Sequence, residues 1–368
     1  MSRFTPRLLP LDDRILPSTV TVQAGAAVRA ATAQVLGANL TWWDSHLDTT
    51  TRQLVTDAGL TLFRQPGGSS ADEWHFDGPA YFNGASQTPT FNAFTAGVGG
   101  AGMVTLNYGT GSPQEAAAYL AYCNAPLVSA VAIGIGPQWN GTAWVNKDWK
   151  TSTDWAMLRA ATPLAADDGR NFLRVGRSAP FAWKFWEVGN EVYGNWETDK
   201  HTTPHDPATY MTFGQQFAAL ATLIDPAAAV GLNGSGTGGS YSQIAGNWTG
   251  QVLDQCAAQG YTPQFLSDHN YMNDPGNESD VTRLQHTATD PASTGYGGPV
   301  NWAGRSAAYR SLLTTKLGAA GAGVQLLCTE FNSVSYNPGK QTTSLVNGLW
   351  LADAVGGILQ TEYAAAVF

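Results

Sequence analysis

The chain is poor in charged residues, and basic residues are the scarcer kind. Only 13% of its 368 residues are charged, against roughly 25% in an average soluble domain. The 19 Lys and Arg face 28 Asp and Glu, which gives a formal net charge of −9, and no cluster of basic residues interrupts this balance. Since nucleic-acid binding depends on clustered Lys and Arg that contact phosphates, the composition argues against a nucleic-acid partner.

Cysteine and long apolar runs are scarce as well. The three cysteines, Cys123, Cys256 and Cys328, are odd in number and widely spaced, so neither a disulfide framework nor a zinc site is indicated. Each lies in a segment with the pattern of a helix or a strand, and we interpret all three as small buried apolar residues. No stretch of eighteen apolar residues occurs, so the sequence predicts no membrane-spanning segment.

The N-terminal segment is basic but lacks the long apolar core of a standard signal peptide. Three arginines within the first fourteen residues flank only a short apolar stretch, and Leu11–Pro17 resembles the basic, Pro-containing tails of some bacterial surface proteins. We interpret residues 1–20 as a non-catalytic leader and residues 21–368 as a single catalytic domain. This interpretation predicts a secreted or cell-surface protein.

From about residue 35 the chain alternates short apolar runs with amphipathic segments. Eight runs have the near-continuous apolar character of strands that are buried on both faces of a parallel sheet. These runs are Val35–Thr41, Leu60–Gln65, Met103–Tyr108, Trp183–Val188, Ala229–Asn233, Phe265–Tyr271, Val324–Phe331 and Tyr363–Phe368. Helix signals lie between them, and Ser112 and Asp206 are each a capping residue directly followed by proline.

Eight strands that alternate with helices predict a (β/α)₈ TIM barrel, with an open doubly wound sheet as the alternative. The eighth run ends the sequence, so either the barrel closes on its last six residues or the sequence is cut there, and we expect no appended β domain. Residues 69–101 and 126–181 lack the alternation and are rich in Gly, Trp, Asn and Pro. We interpret these two segments as long insertions that shape the pocket.

Two glutamates stand where predicted strands end. Glu191 follows the fourth strand, and Glu330 ends the seventh. The carboxyl ends of the strands form the active-site face of such a barrel, and strands four and seven lie across it from each other. Paired carboxylates are what glycoside hydrolysis requires, although a structural salt bridge is the alternative for any one of them. Glu187, deeper on strand four, is predicted to be the buried structural partner of an arginine.

Four short motifs occur in order along the barrel region. They are Phe63–Gly68 followed by Trp74-His75-Phe76, then Asn107-Tyr108-Gly109, Trp186–Glu191 and Asp268–Tyr271. This ordered set resembles clan A glycoside hydrolases and, within them, the family 51 α-L-arabinofuranosidases. The resemblance covers about residues 35–368.

The resemblance implies a role for each matching residue. Glu191 would be the acid/base and Glu330 the nucleophile. Asn190 would bind the 2-hydroxyl of the sugar. Tyr271 would donate a hydrogen bond to the nucleophile, and His269 would line the pocket.

Three further side chains are candidates for substrate binding. Arg64 would support the floor near the nucleophile, and Asn107 lies in the matching third-strand segment. Trp43 is one of several tryptophans in predicted loops or strand ends, of which about half would stack on sugar rings and the rest fill the core. The chain departs from the family at the nucleophile, where Thr-Glu-Phe-Asn (329–332) replaces the common D-E-W-N.

The predicted function is a retaining glycoside hydrolase that releases terminal α-L-arabinofuranosyl units from polysaccharide. We expect Glu191 to be protonated at rest, because an apolar mouth and a nearby anion would raise its pKa. The alternatives are an endo-acting clan A β-glycanase and an inactive carbohydrate-binding barrel. The mechanism implies no metal or cofactor, the only partner expected is carbohydrate, and no motif specifies an oligomeric state.

Overall fold

The fold is given by a computed structural model that describes most of the chain after residue 32. The described residues are 33–44, 46–78, 88–128, 130–235, 248–273, 276, 279–285, 294–295, 298–299, 301–336 and 339–368. The predicted leader at residues 1–20 lies outside them.

Eight parallel strands close into a barrel. They are β1 (Leu36–Asn39), β2 (Leu62–Gln65), β3 (Ala101–Leu106), β4 (Phe185–Val188), β5 (Ala229–Asn233), β6 (Phe265–Asn273), β7 (Gln325–Val334) and β8 (Tyr363–Val367). Each strand pairs with the next along the chain, and β8 pairs with β1 through Leu36–Ala366 and Gly37–Val367. The predicted (β/α)₈ barrel is therefore confirmed, including the closing eighth strand.

Helices alternate with these strands. They are α1 (Thr49–Asp57), α2 (Thr88–Gly97), α3 (Pro113–Asn124), α4 (Ser152–Ala160), α5 (Pro207–Ile224), α6 (Trp248–Ala258), α7 (Asp280–Gln285), α8 (Trp302–Leu317) and α9 (Leu345–Leu359). Ser112 and Asp206 cap α3 and α5 as predicted, each accepting a hydrogen bond from a backbone N–H of the first turn. Within the described part of the chain, no helix is long and apolar enough to cross a bilayer.

The two insertions contain structure of their own. The first begins with a 3₁₀ helix, Gly68–Glu73, and ends with α2, which its Thr-rich sequence does not reveal. The second holds α4 and a two-stranded antiparallel hairpin, Ile135–Trp139 with Trp144–Asp148, which we call the insertion hairpin.

The barrel interior is layered. Its lower layer is apolar and contains Leu62, Met103, Phe185, Ala229, Phe265, Leu327, Ala365 and Val367. Because side chains alternate along a strand, interior residues two or four positions further on form the next layer. That layer is polar and buried, and contains Arg64, Thr105, Glu187, Asn233, Ser267 and Thr329. The three cysteines are buried and free, as predicted.

Candidate active site

Local backbone irregularities turn the two glutamates toward the barrel mouth. Gly189 and Glu191 both have left-handed backbone, with φ of 68° and 40°, directly after β4. On β7, the pairing register with β6 shifts between Cys328 and Glu330. Such bulges re-aim side chains beside active sites, and this one brings Glu330 to the interior face next to Thr329.

Glu191 and Glu330 meet at the mouth with His269 between them. One side-chain atom from each of the three residues lies within 4.8 Å of the other two. The carboxylates are 19% and 13% exposed, and the imidazole is 5% exposed. The ends of β4, β6 and β7 thus place two carboxylates and one imidazole next to each other, within reach of solvent.

The hydrogen bonds of His269 require a proton on each ring nitrogen. Nδ1 lies 2.9 Å from Glu191 Oε1 and 3.6 Å from Glu330 Oε2, and ionised carboxylates only accept hydrogen bonds. Nε2 lies 3.0 Å from the hydroxyl oxygen of Thr329, which donates its own proton to Glu187 Oε1 at 2.8 Å. The ring is therefore a donor on both sides, which describes an imidazolium.

The pKa shifts agree with this assignment. Burial lowers the pKa of His269, but the carboxylates of Glu330 and Glu191 outweigh it and raise the value to about 9. Burial raises the pKa of Glu191, but hydrogen bonds from His269, Tyr193 and Trp196 outweigh it, and its pKa lies below the ordinary value. The expectation that Glu191 is protonated at rest is therefore wrong, because the proton resides on His269.

Glu330 is held by two donors. The Tyr271 hydroxyl donates to Oε2 at 2.6 Å, and Arg64 Nη1 donates to Oε1 at 2.8 Å. Arg64 Nε also donates to Glu187 Oε2 at 2.6 Å, with both side chains fully buried. The prediction that Glu187 is the buried partner of an arginine is confirmed. Arg64 thereby links the polar layer of the barrel to the carboxylate at its mouth.

Asn190 is fixed at both ends of its amide. Its Oδ1 accepts from Arg64 Nη2 at 2.7 Å, and its Nδ2 donates to Glu197 Oε1 at 2.9 Å. Glu197 Oε1 also accepts from Ser69 at 2.8 Å. Burial and the carboxylate of Glu191 raise the pKa of Glu197 to about 8, so a third, protonated carboxyl supports the site from behind Asn190.

Two contacts of Glu191 come from residues that the sequence analysis did not assign. The Tyr193 hydroxyl donates to Oε1 at 2.9 Å, and Trp196 Nε1 donates to Oε2 at 3.0 Å. Both aromatic residues follow Glu191 within five positions, and this spacing was the available signal. Because the turn after β4 folds back on itself, its own side chains reach the carboxylate.

Asn107 and Trp43 have other contacts than the two carboxylates. Asn107 Oδ1 accepts from the backbone N–H of Thr110 at 2.9 Å, and its Nδ2 lies 3.3 Å from His75 Nδ1. Trp43 is 57% exposed and meets Trp42 edge to face, with the ring centroids 5.4 Å apart. Among the contacts of the described residues, no hydrogen bond joins either side chain to Glu191 or Glu330.

The same three residues form the described group that could hold a metal ion. Their lone pairs are engaged by protons, however. Arg64 and Tyr271 donate to the two oxygens of Glu330, and His269 directs a proton at Glu191. This set of donors fits acid–base and nucleophilic chemistry better than metal coordination.

Part of the chain is similar in sequence to known proteins. No protein-family model matches the chain. Over 187 residues, or 48% of the chain, it is 27% identical to a probable α-L-arabinofuranosidase C of Aspergillus niger, and the match covers 27% of that protein.

Solved structures share the fold. The α-L-arabinofuranosidase of Thermotoga maritima, determined as an arabinose complex, has a TM-score of 0.61 at 18% identity, covering 91% of this chain and 63% of that one. The GH51 α-L-arabinofuranosidase of Thermotoga petrophila has a TM-score of 0.57 at 17% identity, covering 92% and 64%. The chain thus spans less than two thirds of the length of these relatives. The resemblance predicted from the motifs is confirmed: the chain is similar to clan A glycoside hydrolases and, within that clan, to the family 51 α-L-arabinofuranosidases.

Proposed function

We propose that this protein is a retaining glycoside hydrolase that releases terminal α-L-arabinofuranosyl units from polysaccharide. One observation supports the proposal above the others. Two carboxylates from opposite strands approach within 4.8 Å at a partly open barrel mouth. Retaining enzymes hold their two carboxyl groups about 5–5.5 Å apart, whereas inverting enzymes need about 6.5–9.5 Å to admit a water molecule.

In the first step, Glu191 protonates the oxygen of the leaving group while Glu330 attacks the anomeric carbon and forms a glycosyl ester. Glu191 receives that proton from His269 Nδ1, which lies 2.9 Å from its Oε1. Tyr271 and Arg64 orient Glu330 by donating to its two oxygens. The bond from the anomeric carbon to the leaving group breaks, and the leaving group departs as an alcohol.

In the second step, Glu191 is a base. It takes a proton from a water molecule, the resulting hydroxide attacks the anomeric carbon, and the ester bond to Glu330 breaks. The sugar leaves with its original anomeric configuration because two displacements have occurred. The proton on Glu191 returns to His269, whose imidazolium is again stabilised by two carboxylates.

The test is hydrolysis of an aryl glycoside panel that includes aryl α-L-arabinofuranosides, with the product anomer followed by proton NMR. Wild type is expected to be active with retention, and Glu330→Ala should lose several orders of magnitude in kcat/KM. Glu191→Ala should retain the rate of the first step on a dinitrophenyl substrate, because that leaving group departs without a proton. It should therefore show a burst of the dinitrophenolate.

Glu362→Ala is the matched control, since this glutamate is exposed and pairs with Arg310 away from the barrel mouth. Its kinetics should equal those of wild type. An inverted product would contradict retention. If the protein cleaved only internal bonds of β-glycans, the alternative of an endo-acting β-glycanase would replace the proposal. If wild type and both active-site variants were equal on every substrate, the carbohydrate-binding alternative would stand.

A further inference from the structure

A cavity lies beside the active site, and its lining includes neither of the two carboxylates. Its volume is about 630 Å³, and it is open to solvent on one side. Both insertions and the segment after β4 line it, and the lining side chains include His75, Trp139, Lys147, Arg170, Thr198 and Lys200. The insertions therefore build a depression of their own.

One layer of chain separates this cavity from the active site. Glu197 faces the active site, where it bonds Asn190 and Ser69. The next residue, Thr198, lines the cavity and donates a hydrogen bond to Glu73, which lines it as well. A polysaccharide that presents one sugar to Glu191 therefore passes close to this cavity.

Three positively charged side chains line the cavity, although the chain as a whole is acidic. Lys147, Arg170 and Lys200 are three of the 19 basic residues in the whole sequence. Asp77 accepts from Lys147 at 2.8 Å and from Arg170 at 3.1 Å, so one carboxylate neutralises two cations only in part. Glu73, the other acidic residue of the lining, accepts from Thr198.

Lys200 leaves its positive charge available. Its backbone is fixed, because its N–H donates to Gly109 O at 2.9 Å and its carbonyl accepts from Trp144 Nε1 at 2.9 Å. Its ammonium, by contrast, has no hydrogen-bond or ion-pair partner among the described residues. An exposed lysine held by its backbone beside a cavity is a ready donor to an anion.

His75 adds a second donor. Its Nδ1 lies 2.9 Å from the buried carboxylate of Glu115, and Nε2 has no partner among the described residues. Burial lowers the pKa of His75, but Glu115 and Asp77 outweigh burial and the opposing charge of Lys147, so that the pKa is raised.

Trp139 supplies an aromatic surface among these cations. It lines the cavity beside Gln138 and Asn140, and it meets Trp144 edge to face with the ring centroids 5.8 Å apart. An indole next to amide groups is a typical platform for a sugar ring. The combination of this platform with unpaired positive charge indicates a sugar that bears a carboxylate.

We propose that this cavity binds a uronic acid unit of the polysaccharide from which the arabinofuranosyl unit is removed. The carboxylate accepts from Lys200 and His75, and the ring packs on Trp139. This inference rests on the proposed function for its choice of an acidic glycan, and it makes the enzyme selective for acidic polysaccharides.

The test is direct binding by isothermal titration calorimetry with two probes, tri-galacturonic acid and the neutral trimer obtained by reducing its carboxyl groups. Wild type is expected to bind the acidic trimer about tenfold more tightly than the neutral one. Lys200→Met should weaken binding of the acidic trimer at least about fivefold and leave the neutral trimer unaffected. Trp139→Ala should weaken binding of both.

Lys184→Met is the matched control, since this exposed lysine precedes β4 at the opposite end of the barrel. It should bind both trimers as wild type does, and thermal unfolding checks that every variant is folded. Equal affinity for the two trimers, or equal loss in Lys184→Met and Lys200→Met, would overturn the inference. Displacement of the acidic trimer by equimolar inorganic phosphate would also overturn it, because it would indicate a general anion site.

This binding assay involves no turnover, so its failure and that of the proposed function can be told apart. A protein that binds the acidic trimer but cleaves no arabinofuranoside contradicts the proposed function alone. A protein that cleaves arabinofuranosides without binding the trimer contradicts the cavity inference alone.

Discussion

At the scale of single residues, Glu197 is a group next to the site whose ionisation the fold opposes. It is buried between the segment after β4 and the first insertion, and only its Oε1 accepts hydrogen bonds from Asn190 and Ser69. Burial and the charges of Glu191 and Glu330 raise its pKa to about 8. The pKa of the neighbouring Asp72 is likewise raised by burial and by the charge of Glu197. The neutral form of Glu197 is therefore the one that the native structure favours.

We predict that Glu197→Gln changes the pH dependence of stability. The pKa of Glu197 is higher in the folded state than in the unfolded state. The protonated carboxyl therefore contributes its full share of the free energy of unfolding below the unfolded-state pKa, and that contribution is lost as pH rises toward 8. Glutamine does not titrate. The melting temperature of Glu197→Gln minus that of wild type should therefore increase between pH 5 and pH 8, as measured by calorimetry.

Glu362→Gln makes the same chemical change at an exposed position and should show no comparable increase. If the difference between Glu197→Gln and wild type stayed constant across this range, Glu197 would have to be ionised throughout, and its assignment as a neutral support would be wrong.

The protonation states of Glu191 and His269 could not be predicted from the sequence. The motifs indicate which carboxylates occur at strand ends, and burial suggests that an acid there is neutral. The sequence does not reveal that His269, 78 positions away from Glu191, comes within 2.9 Å of it. That single contact places the proton on His269 and not on Glu191, because an imidazolium between two carboxylates is favoured over a neutral carboxyl.

At the scale of elements, Asp268 connects a strand, a helix and the closing strand. It lies on β6 and pairs with Arg305 of α8, whose Nε donates to it at 2.9 Å. It also accepts from the hydroxyls of Tyr309 on α8, at 2.8 Å, and Tyr363 on β8, at 2.6 Å. The residue therefore holds α8 and β8 against β6.

We predict that Asp268→Asn destabilises the fold by about 3–5 kcal/mol, because it leaves the buried guanidinium of Arg305 opposite a neutral amide. Asp254→Asn is the matched control, since Asp254 pairs with Lys316 at 2.7 Å on the surface, where such a change costs about 1 kcal/mol or less. Urea unfolding followed by circular dichroism measures both. Equal losses in the two variants would show that the buried pair has no special role.

The elements differ in how well the sequence predicts them. The barrel strands are predicted to within a few residues because both of their faces are buried, which produces continuous apolar runs. β6 extends to Asn273, two residues beyond the prediction, since its polar end enters the site. The insertion hairpin is not predicted, because half of its strand residues are exposed and no apolar periodicity marks its strands.

At the scale of the whole molecule, the barrel depends on a pairing between its two most distant strands. β8 pairs with both β1 and β7, and residues joined across the β1–β8 contact are 330 positions apart in sequence. Without β8, the paired edges of β1 and β7 would be exposed, and so would the apolar lower layer to which Ala365 and Val367 belong.

We predict that deleting residues 363–368 abolishes the cooperative thermal transition and the activity together. Deleting residues 1–20 is the comparison, because the leader interpretation predicts that the melting temperature and kcat/KM remain at their wild-type values. Calorimetry and aryl glycoside hydrolysis measure both. A cooperative transition in the C-terminal deletion would show that seven strands are sufficient, and loss of activity in the N-terminal deletion would contradict the leader interpretation.

The left-handed backbone at Glu191 has a consequence for the history of this barrel. A residue with a side chain at φ 40° costs about 1 kcal/mol or more, and glycine would relieve that cost while removing the carboxyl group. Under the proposed function, selection for stability and selection for turnover therefore oppose each other at this position. A barrel of this kind that has lost the proposed activity is expected to drift to glycine or asparagine there.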